Sequence, residues 1–442
     1  MSWDYNFLEG KVWKYSINIY PAFDYNETFY AKCYLCRKKN NMIPFSPPRM
    51  DQKIIDEVVD TLKSGWITTG PKVKKFEQML TEYAGHKATL CTSSGSAGLE
   101  LMLRWFGVGE GDEVILPAYT YTATANVIVH CGAKPVFVDV KNDFNISVKE
   151  IEKAITGKTK VIMPVDIAGF PCDYDELNEL VRRKDIAGKF RPKTEEQKIL
   201  GRILVLSDAA HSLGAVYKGT KTGKLTDITV YSFHAVKNLT TAEGGAVCLN
   251  LPEPFDNEAI YKYLRVKSLH GQTKDAFTKT KAGAWRYDVV EPGYKFNMTD
   301  IAAAMGLVEI ERYDNDMLVR RKQIFDRYAK AFSEFDWAEV PIYETDKKRS
   351  SYHVFLLRIK DITGEQRDEI IQKITEKGVS VNVHFIPLPL MTYYKSLGND
   401  IADFPVSYDN FSRVISLPVY YDLTDKQIET VVRAVVESYN AV

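Results

Sequence analysis

From Ile43 onward the apolar residues fall into two alternating rhythms. Ile54, Ile55, Val58, Val59 and Leu62 recur at helical spacing, and Gly65 stands where such a helix would end. Short apolar runs follow at Ala88–Cys91, Glu113–Leu116, Pro135–Val140, Lys160–Val165, Ile203–Leu206, Ile228–Phe233 and Gly245–Leu249. Several are apolar almost throughout, as strands covered on both faces should be. Helix signals lie between them, among them the capping box Ser147-x-x-Glu150 ahead of Ile151 and Ile155. Strand–helix–strand units in succession predict an α/β fold built on a mainly parallel, doubly wound sheet. The stretch Arg182–Gln197 is charged and patternless and reads as a surface insertion.

The rhythm changes toward the C-terminus. A long helix over Asn315–Phe332 leads out of the sheet region. Beyond it the pattern predicts a strand (His353–Ile359), a helix (Gly364–Lys377), a strand (Val379–Phe385) and a last helix starting at Thr424 with Gln427 at its third position. The expected organisation is an aromatic-rich extension over 1–41, a large domain over 42–315 and a smaller α+β domain over 316–442.

Composition narrows the partners. Lys+Arg and Asp+Glu both number 58, so there is no electrostatic reason to expect nucleic acid or an anionic membrane. No apolar run approaches the roughly 18 residues that would span a bilayer. The first residues lack the uninterrupted apolar core of a signal peptide, which predicts a cytoplasmic protein. Cys91, Cys131, Cys172 and Cys248 lie in or beside apolar stretches, where a thiol acts as a small hydrophobe. Cys33 and Cys36 form one CxxC without a second ligand pair, so no metal is expected.

Three features carry chemistry. Thr92-Ser93-Ser94-Gly95-Ser96-Ala97 follows a strand and opens a helix, where small residues let backbone N–H groups approach a phosphate. Asp208 stands at the carboxyl end of the strand Ile203–Leu206, where ligands bind in open parallel sheets. A carboxylate there can pair with the protonated pyridine nitrogen of pyridoxal phosphate, and Ala209 and Ala210 are small enough to admit a flat ring. Lys237, in Tyr231-Ser232-Phe233-His234-Ala235-Val236-Lys237, follows the next strand in an apolar setting that lowers an amine's pKa and favours a Schiff base. Each alone admits a plainer reading: a helix start rich in capping residues, an N-cap Asp, a solvated Lys. Their order along the sheet favours the chemical one.

From Ile43 to the C-terminus the sequence resembles the DegT/StrS family of pyridoxal-phosphate-dependent sugar aminotransferases. The motifs that carry the resemblance are Ser64-Gly65-Trp66-Ile67-Thr68-Thr69-Gly70-Pro71, Ser207-Asp208-Ala209-Ala210-His211 and Ser232-Phe233-His234-Ala235-Val236-Lys237-Asn238. Pro292-Gly293-Tyr294-Lys295-Phe296-Asn297-Met298-Thr299-Asp300 and Val383-His384-Phe385-Ile386-Pro387 complete it. It implies the fold-type I transferase architecture, a homodimer with shared active sites, and transfer of an amino group from L-glutamate to a keto carbon of a nucleotide-linked sugar. The UDP-4-keto-sugar branch, which includes the enzyme making UDP-4-amino-4-deoxy-L-arabinose, is the most similar.

Carried over, the resemblance makes Lys237 the Schiff-base and proton-shuttling lysine, Asp208 the partner of the pyridine nitrogen and His211 the neighbour of the ring hydroxyl. It places Tyr121 as the stacking aromatic and Gly95, Ser96 and Ser232 at the phosphate. Asn297 would reach the phosphate held by the neighbouring subunit, and Thr68, Thr69, Tyr294, Lys295 and His384 would hold the sugar nucleotide. His211 stands where many members carry Gln, and Asn297 where many carry Arg; both variants occur in the UDP-sugar branch. Related sugar dehydratases replace the Schiff-base Lys with His, so Lys237 favours transamination. Alternatives are a fold-type I enzyme acting on a different small substrate, such as a free amino acid or a non-nucleotide keto sugar, and a non-catalytic regulatory relative that binds the cofactor.

Overall fold

Seven of the apolar runs assemble into one sheet. A computed structural model describes residues 42–273 and 286–442, and within it residues 43–442 pack as one unit. The extension over 1–41, with Cys33 and Cys36, lies outside the described residues. In chain order the strands are β1 (Ala88–Thr92), β2 (Glu113–Pro117), β3 (Lys134–Val138), β4 (Thr159–Ile162), β5 (Leu204–Asp208), a hairpin of β6 (Val216–Tyr217) and β7 (Thr220–Lys221), β8 (Ile228–Ser232) and β9 (Gly245–Leu249). The main sheet runs β1-β9-β8-β5-β4-β2-β3. Every neighbouring pair is parallel except the two that β9 makes, so the expected mainly parallel α/β sheet is what forms.

Burial explains the unbroken apolar runs. Every residue of β1, β5 and β9 is buried, because helices cover both faces. Leu99, Leu101, Val127, Ile128 and Leu177 pack on one side and Val73, Phe76, Leu80, Ala303 and Leu307 on the other. The helix Pro71–Ala84 points Val73, Phe76, Leu80 and Ala84 inward at three- and four-residue spacing and stops at Gly85, whose φ of 73° closes it in the left-handed region. Cys91, Cys131, Cys172 and Cys248 are all free and buried. No helix among the described residues is long and apolar enough to cross a membrane.

Four local expectations are corrected. The stretch Arg182–Gln197, expected to be a patternless surface insertion, has structure of its own: it carries the helix Lys184–Ala187 and enters a second, Glu195–Leu200, and it buries Ile186, Phe190 and Gln197. Gln197 Nε2 donates to the Phe106 carbonyl at 2.8 Å, and the buried Lys160 amine reaches the Arg191 carbonyl. The charges occupy the outer positions, while the few inward side chains are too widely spaced to show a period. The helix expected from Asn315 begins instead at Leu318, after a wide turn over Tyr313–Met317.

Val379–Phe385 forms no strand. It touches its neighbours through single bridges, Ile43 with Val379 and Asn382 with Ser416. The three-stranded sheet beside it is β10 (Ala338–Glu339), β12 (Phe355–Ile359) and β13 (Val414–Leu417), while β11 (Lys348–Arg349) joins the β6–β7 hairpin. The Ser147 hydroxyl accepts from Glu150 N, but the Glu150 carboxylate turns to Lys153 instead of closing the expected box. The box at Thr424 and Gln427 closes in both directions.

Candidate active site

The parallel strands end together on one edge of the sheet, and the candidate residues sit there. Register places Gly245 of β9 between Thr92 of β1 and Ser232 of β8. A Cβ at Gly245 would lie 2.5 Å from Gly95 N and from the Ser94 carbonyl carbon, so only glycine lets the helix Gly95–Trp105 start this close to the sheet. The Ser94 hydroxyl caps that helix by accepting from Ala97 N at 3.0 Å. The first-turn N–H groups of Gly95 and Ser96 have no intrahelical partner and carry the positive end of the helix dipole. Such an end, with the Ser232 hydroxyl one strand away, suits a phosphate.

These elements wall a cavity of about 430 Å³ lined by Gly95, Ser96, Tyr121, Asp208, His211, Ser232, Lys237 and His384, among others. Asp208 is the last residue of β5, not a residue beyond the strand, and it is buried. Its carboxylate accepts from Thr124 Oγ1 at 2.8 Å and from Ala210 N at 3.2 Å. Burial raises its pKa, and those two hydrogen bonds and the charge of Lys237 oppose the rise. Ala210 lines the cavity, but Ala209 points into the core, so only one of the two alanines borders the cavity.

Lys237 follows a tight turn after β8, with its own N–H on the His234 carbonyl at 2.8 Å. Burial lowers its amine to about 8, and Asp208 pulls the other way. Near pH 7 about a tenth of such an amine is the neutral nucleophile, a far larger share than in a lysine at its ordinary value. His211 accepts from Ala168 N at its Nδ1, 3.3 Å away, and burial drives its pKa far down, helped by Lys237 and His384. His384 is lowered to about 4 by burial and then by Lys237. Tyr121, 59% exposed, leans its ring toward Phe385 at 5.8 Å, free of the core that locks Tyr119.

The remaining candidates lie elsewhere in the chain. Thr69 and Asn297 line a separate cavity of about 180 Å³ with Glu77, and Asn297 Nδ2 donates to Thr69 Oγ1 at 2.6 Å. The Thr68 carbonyl accepts from Asp300 N at 3.1 Å. The Tyr294 ring stacks on Phe296 at 4.9 Å, and the Lys295 backbone bridges Leu269. None of these five borders the cavity around Lys237.

Two lining or supporting residues escaped the sequence reading. Thr124 supports Asp208 from the first turn of the helix Thr122–His130, one turn after Tyr121 in a run of threonines that could have marked it. His353 lines the cavity with its ring centroid 4.3 Å from that of His211, and no local pattern points to it.

The set fits a flat pyridine ring with a phosphate arm: a glycine-packed helix start, a buried carboxylate and a depressed lysine amine opening into one cavity. Lys237, Asp208, Tyr121, His211, Gly95, Ser96 and Ser232, which line the cavity, are the residues that could hold it. Known proteins agree. The chain matches the model of the DegT/DnrJ/EryC1/StrS aminotransferase family over residues 48–188 and 195–436. The break falls inside the stretch with the two short helices. The chain is 36% identical to the spore coat polysaccharide biosynthesis protein SpsC of Bacillus subtilis over 406 residues, 91% of this chain and 98% of that one.

Among solved structures, Spr1654 of Streptococcus pneumoniae, described as a candidate sugar aminotransferase, superposes in its PMP form with a TM-score of 0.87 at 46% identity, covering 90% of this chain and 99% of that one. Its PLP form gives 0.86 at 44%. PseC of Helicobacter pylori, an aminotransferase in pseudoaminic acid biosynthesis, gives 0.80 at 26%, over 91% of this chain and 100% of that one. Fold, cavity and likeness thus converge, and the chain belongs to the DegT/DnrJ/EryC1/StrS aminotransferase family, whose cofactor is pyridoxal phosphate.

Proposed function

We propose that this aminotransferase moves an amino group from L-glutamate to a keto carbon of a nucleotide-linked sugar, with a UDP-4-keto sugar as the acceptor class. The observation that carries the reading is the Lys237 amine, held near neutral pKa in the same cavity as the buried Asp208 carboxylate. Spore coat polysaccharide for SpsC and pseudoaminic acid for PseC support a sugar acceptor and its place in cell-surface polysaccharide or related sugar biosynthesis. The His211 and Asn297 variants support the UDP branch.

Bound in the cavity, pyridoxal phosphate supplies an electron sink and a carrier for the amino group. Gly95, Ser96 and Ser232 bind its phosphate. Asp208 holds the ring nitrogen in its protonated state, and Tyr121 covers the ring. His211, kept neutral, offers a hydrogen-bond donor near the ring hydroxyl. Lys237 Nζ would anchor the cofactor and would be the group that moves the proton of the donor's α-carbon. An amine near neutral pKa can both take and return that proton. In a cytoplasmic homodimer, Asn297 would reach the partner's phosphate, and Thr68, Thr69, Tyr294, Lys295 and His384 would hold the sugar nucleotide.

Mass spectrometry of the products tests the reading. The holoenzyme, given L-glutamate and a panel of keto sugars, should form 2-oxoglutarate and one amino sugar with a UDP-4-keto member. Amination of a free keto sugar or keto acid, with every nucleotide sugar refused, would overturn the acceptor assignment.

A further inference from the structure

His353 lies against the candidate site without a role in the proposed chemistry, at the end of a segment held by several main-chain hydrogen bonds. It ends the segment Ser350–His353, whose backbone is left-handed at Tyr352 with φ of 56°. The buried Arg321 fixes that segment, donating Nε to the Tyr352 carbonyl at 3.1 Å and Nη2 to the His353 carbonyl at 3.0 Å. His353 N donates to the Ala168 carbonyl at 3.2 Å, and Ser351 N to the Gly169 carbonyl at 3.0 Å. Ala168 is itself left-handed, with φ of 56°, and its N–H is the group that His211 Nδ1 accepts. One clamp therefore sets both the turn behind His211 and the ring beside it.

The hydrogen bonds assign the protons. Asn238 Nδ2 donates to the Ser351 carbonyl at 2.7 Å, which turns its oxygen toward His353 Nδ1 at 2.8 Å. A carboxamide oxygen only accepts, so the proton of that bond is on His353 Nδ1 and Nε2 carries a lone pair. His211 is the opposite case: Nδ1 accepts, so its proton is on Nε2. The rings lie 4.3 Å apart at 37°. The charged groups facing His353 are Lys237 and Arg321, and the other titratable ones are His211 and His384; with burial, all disfavour a second proton. Asn238 also directly follows Lys237, so the same bond reaches the cofactor-bearing loop.

We propose that His353 is a positioning residue: it packs its ring against neutral His211, whose Nε2–H form Ala168 N sets, fixes the backbone after Lys237 through Asn238, and offers its own Nε2 as an acceptor on the cavity wall. The effect on the cofactor rests on the placement of pyridoxal phosphate at Lys237; the protonation pattern stands on the protein alone.

Nitrogen NMR of protein labelled at its imidazoles, without cofactor, reads that pattern directly. His353 should be protonated at Nδ1 and His211 at Nε2, both neutral across the neutral range, with signals identified by their loss in His353→Gln and His211→Gln. A wild-type protein with His353 protonated at Nε2, or His211 at Nδ1, would overturn the proposal, and no variant has to fold for that result. In the holoenzyme, His353→Phe keeps the stack and loses the bond to Asn238. It should move the pH midpoint of the cofactor's visible absorption by about half a unit or more, while His211 keeps the tautomer that Ala168 N sets. His353→Gln, which returns a donor to Asn238, should recover most of that shift. A folded His353→Phe protein with that midpoint unmoved would sink the positioning role. The tautomer pair in a protein whose Lys237→Ala variant still colours like wild type would support the pair and count against the cofactor placement.

Discussion

Thr124 donates its hydroxyl to Asp208 at 2.8 Å and has Thr120 Oγ1 3.0 Å behind it, so a short hydroxyl chain backs the buried carboxylate. The donor favours the charged form of a group that burial pushes toward neutrality. Thr124→Val keeps the shape and removes the donor. A hydrogen bond to a charged group contributes about 1.5–3 kcal/mol, so cofactor affinity should fall at least about tenfold. Titration of cofactor-free protein by visible absorption measures this. Unchanged affinity would mean that Asp208 does not bear on the ring.

Lys237 sets the second prediction, and its sign follows from burial. The ordinary amine value is 10.5 and the folded value about 8, so between them the unfolded chain binds more protons than the folded one. The strain of a buried charge is therefore fully present below about 8, and cofactor-free protein should gain stability as pH rises from there toward 10.5. Capture of added cofactor needs the neutral amine, so its rate should rise with pH around a midpoint of about 8. Asp208→Asn removes the charge that supports the ammonium and should move the midpoint lower. Stopped-flow absorbance across pH measures both, and a midpoint near the ordinary lysine value would refute the depressed amine.

The sheet and most of the cavity were legible in the sequence because both rest on short-range patterns. β5 and β9 announce themselves as unbroken apolar runs, and Asp208 and Lys237 follow such runs closely. What was missed depends on contacts across the chain. Ile186, Phe190 and Gln197 are buried by partners on distant elements, so their stretch shows no period. Val379–Phe385 alternates like a strand but finds only single-residue partners in Ile43 and Ser416. His353 was invisible because its setting is made by Arg321, Ala168 and Asn238, which no spacing connects.

Gly245 offers a third, steric prediction. Its missing Cβ lets the helix carrying Gly95 and Ser96 approach to where an added methyl would sit 2.5 Å from backbone atoms. Backbone cannot swing aside as a flexible side chain can. Gly245→Ala should push the helix start away from Ser232 and weaken cofactor binding about tenfold or more, with a smaller effect on folding. Equilibrium dialysis with pyridoxal phosphate, and with inorganic phosphate as competitor, separates loss of the phosphate cradle from general damage. Wild-type affinity in the variant would show that the cradle lies elsewhere.

Asp300 links two of the motifs that mark the family, and its role is structural. Its Oδ1 accepts from Gly70 N at 2.8 Å and Val73 N at 3.0 Å, and its Oδ2 from Lys72 N at 3.1 Å. One buried carboxylate thus serves three of the orphan donors at the start of the helix Pro71–Ala84, where Gly70 has no side chain to do so. The arrangement also holds Thr69 beside Asn297, so a defect here would disturb both. Asp300→Ala leaves those donors in a site with little water. Capping losses run to about 2 kcal/mol and unpaired buried groups add to that, so the variant should lose about 2–3 kcal/mol. Urea unfolding should show a lower midpoint with an unchanged slope, because the surface exposed on unfolding stays the same. Asp300→Asn keeps one acceptor and should recover part of the loss. If Asp300→Ala unfolds like wild type but fails to hold cofactor, the carboxylate acts on the site and not through the helix.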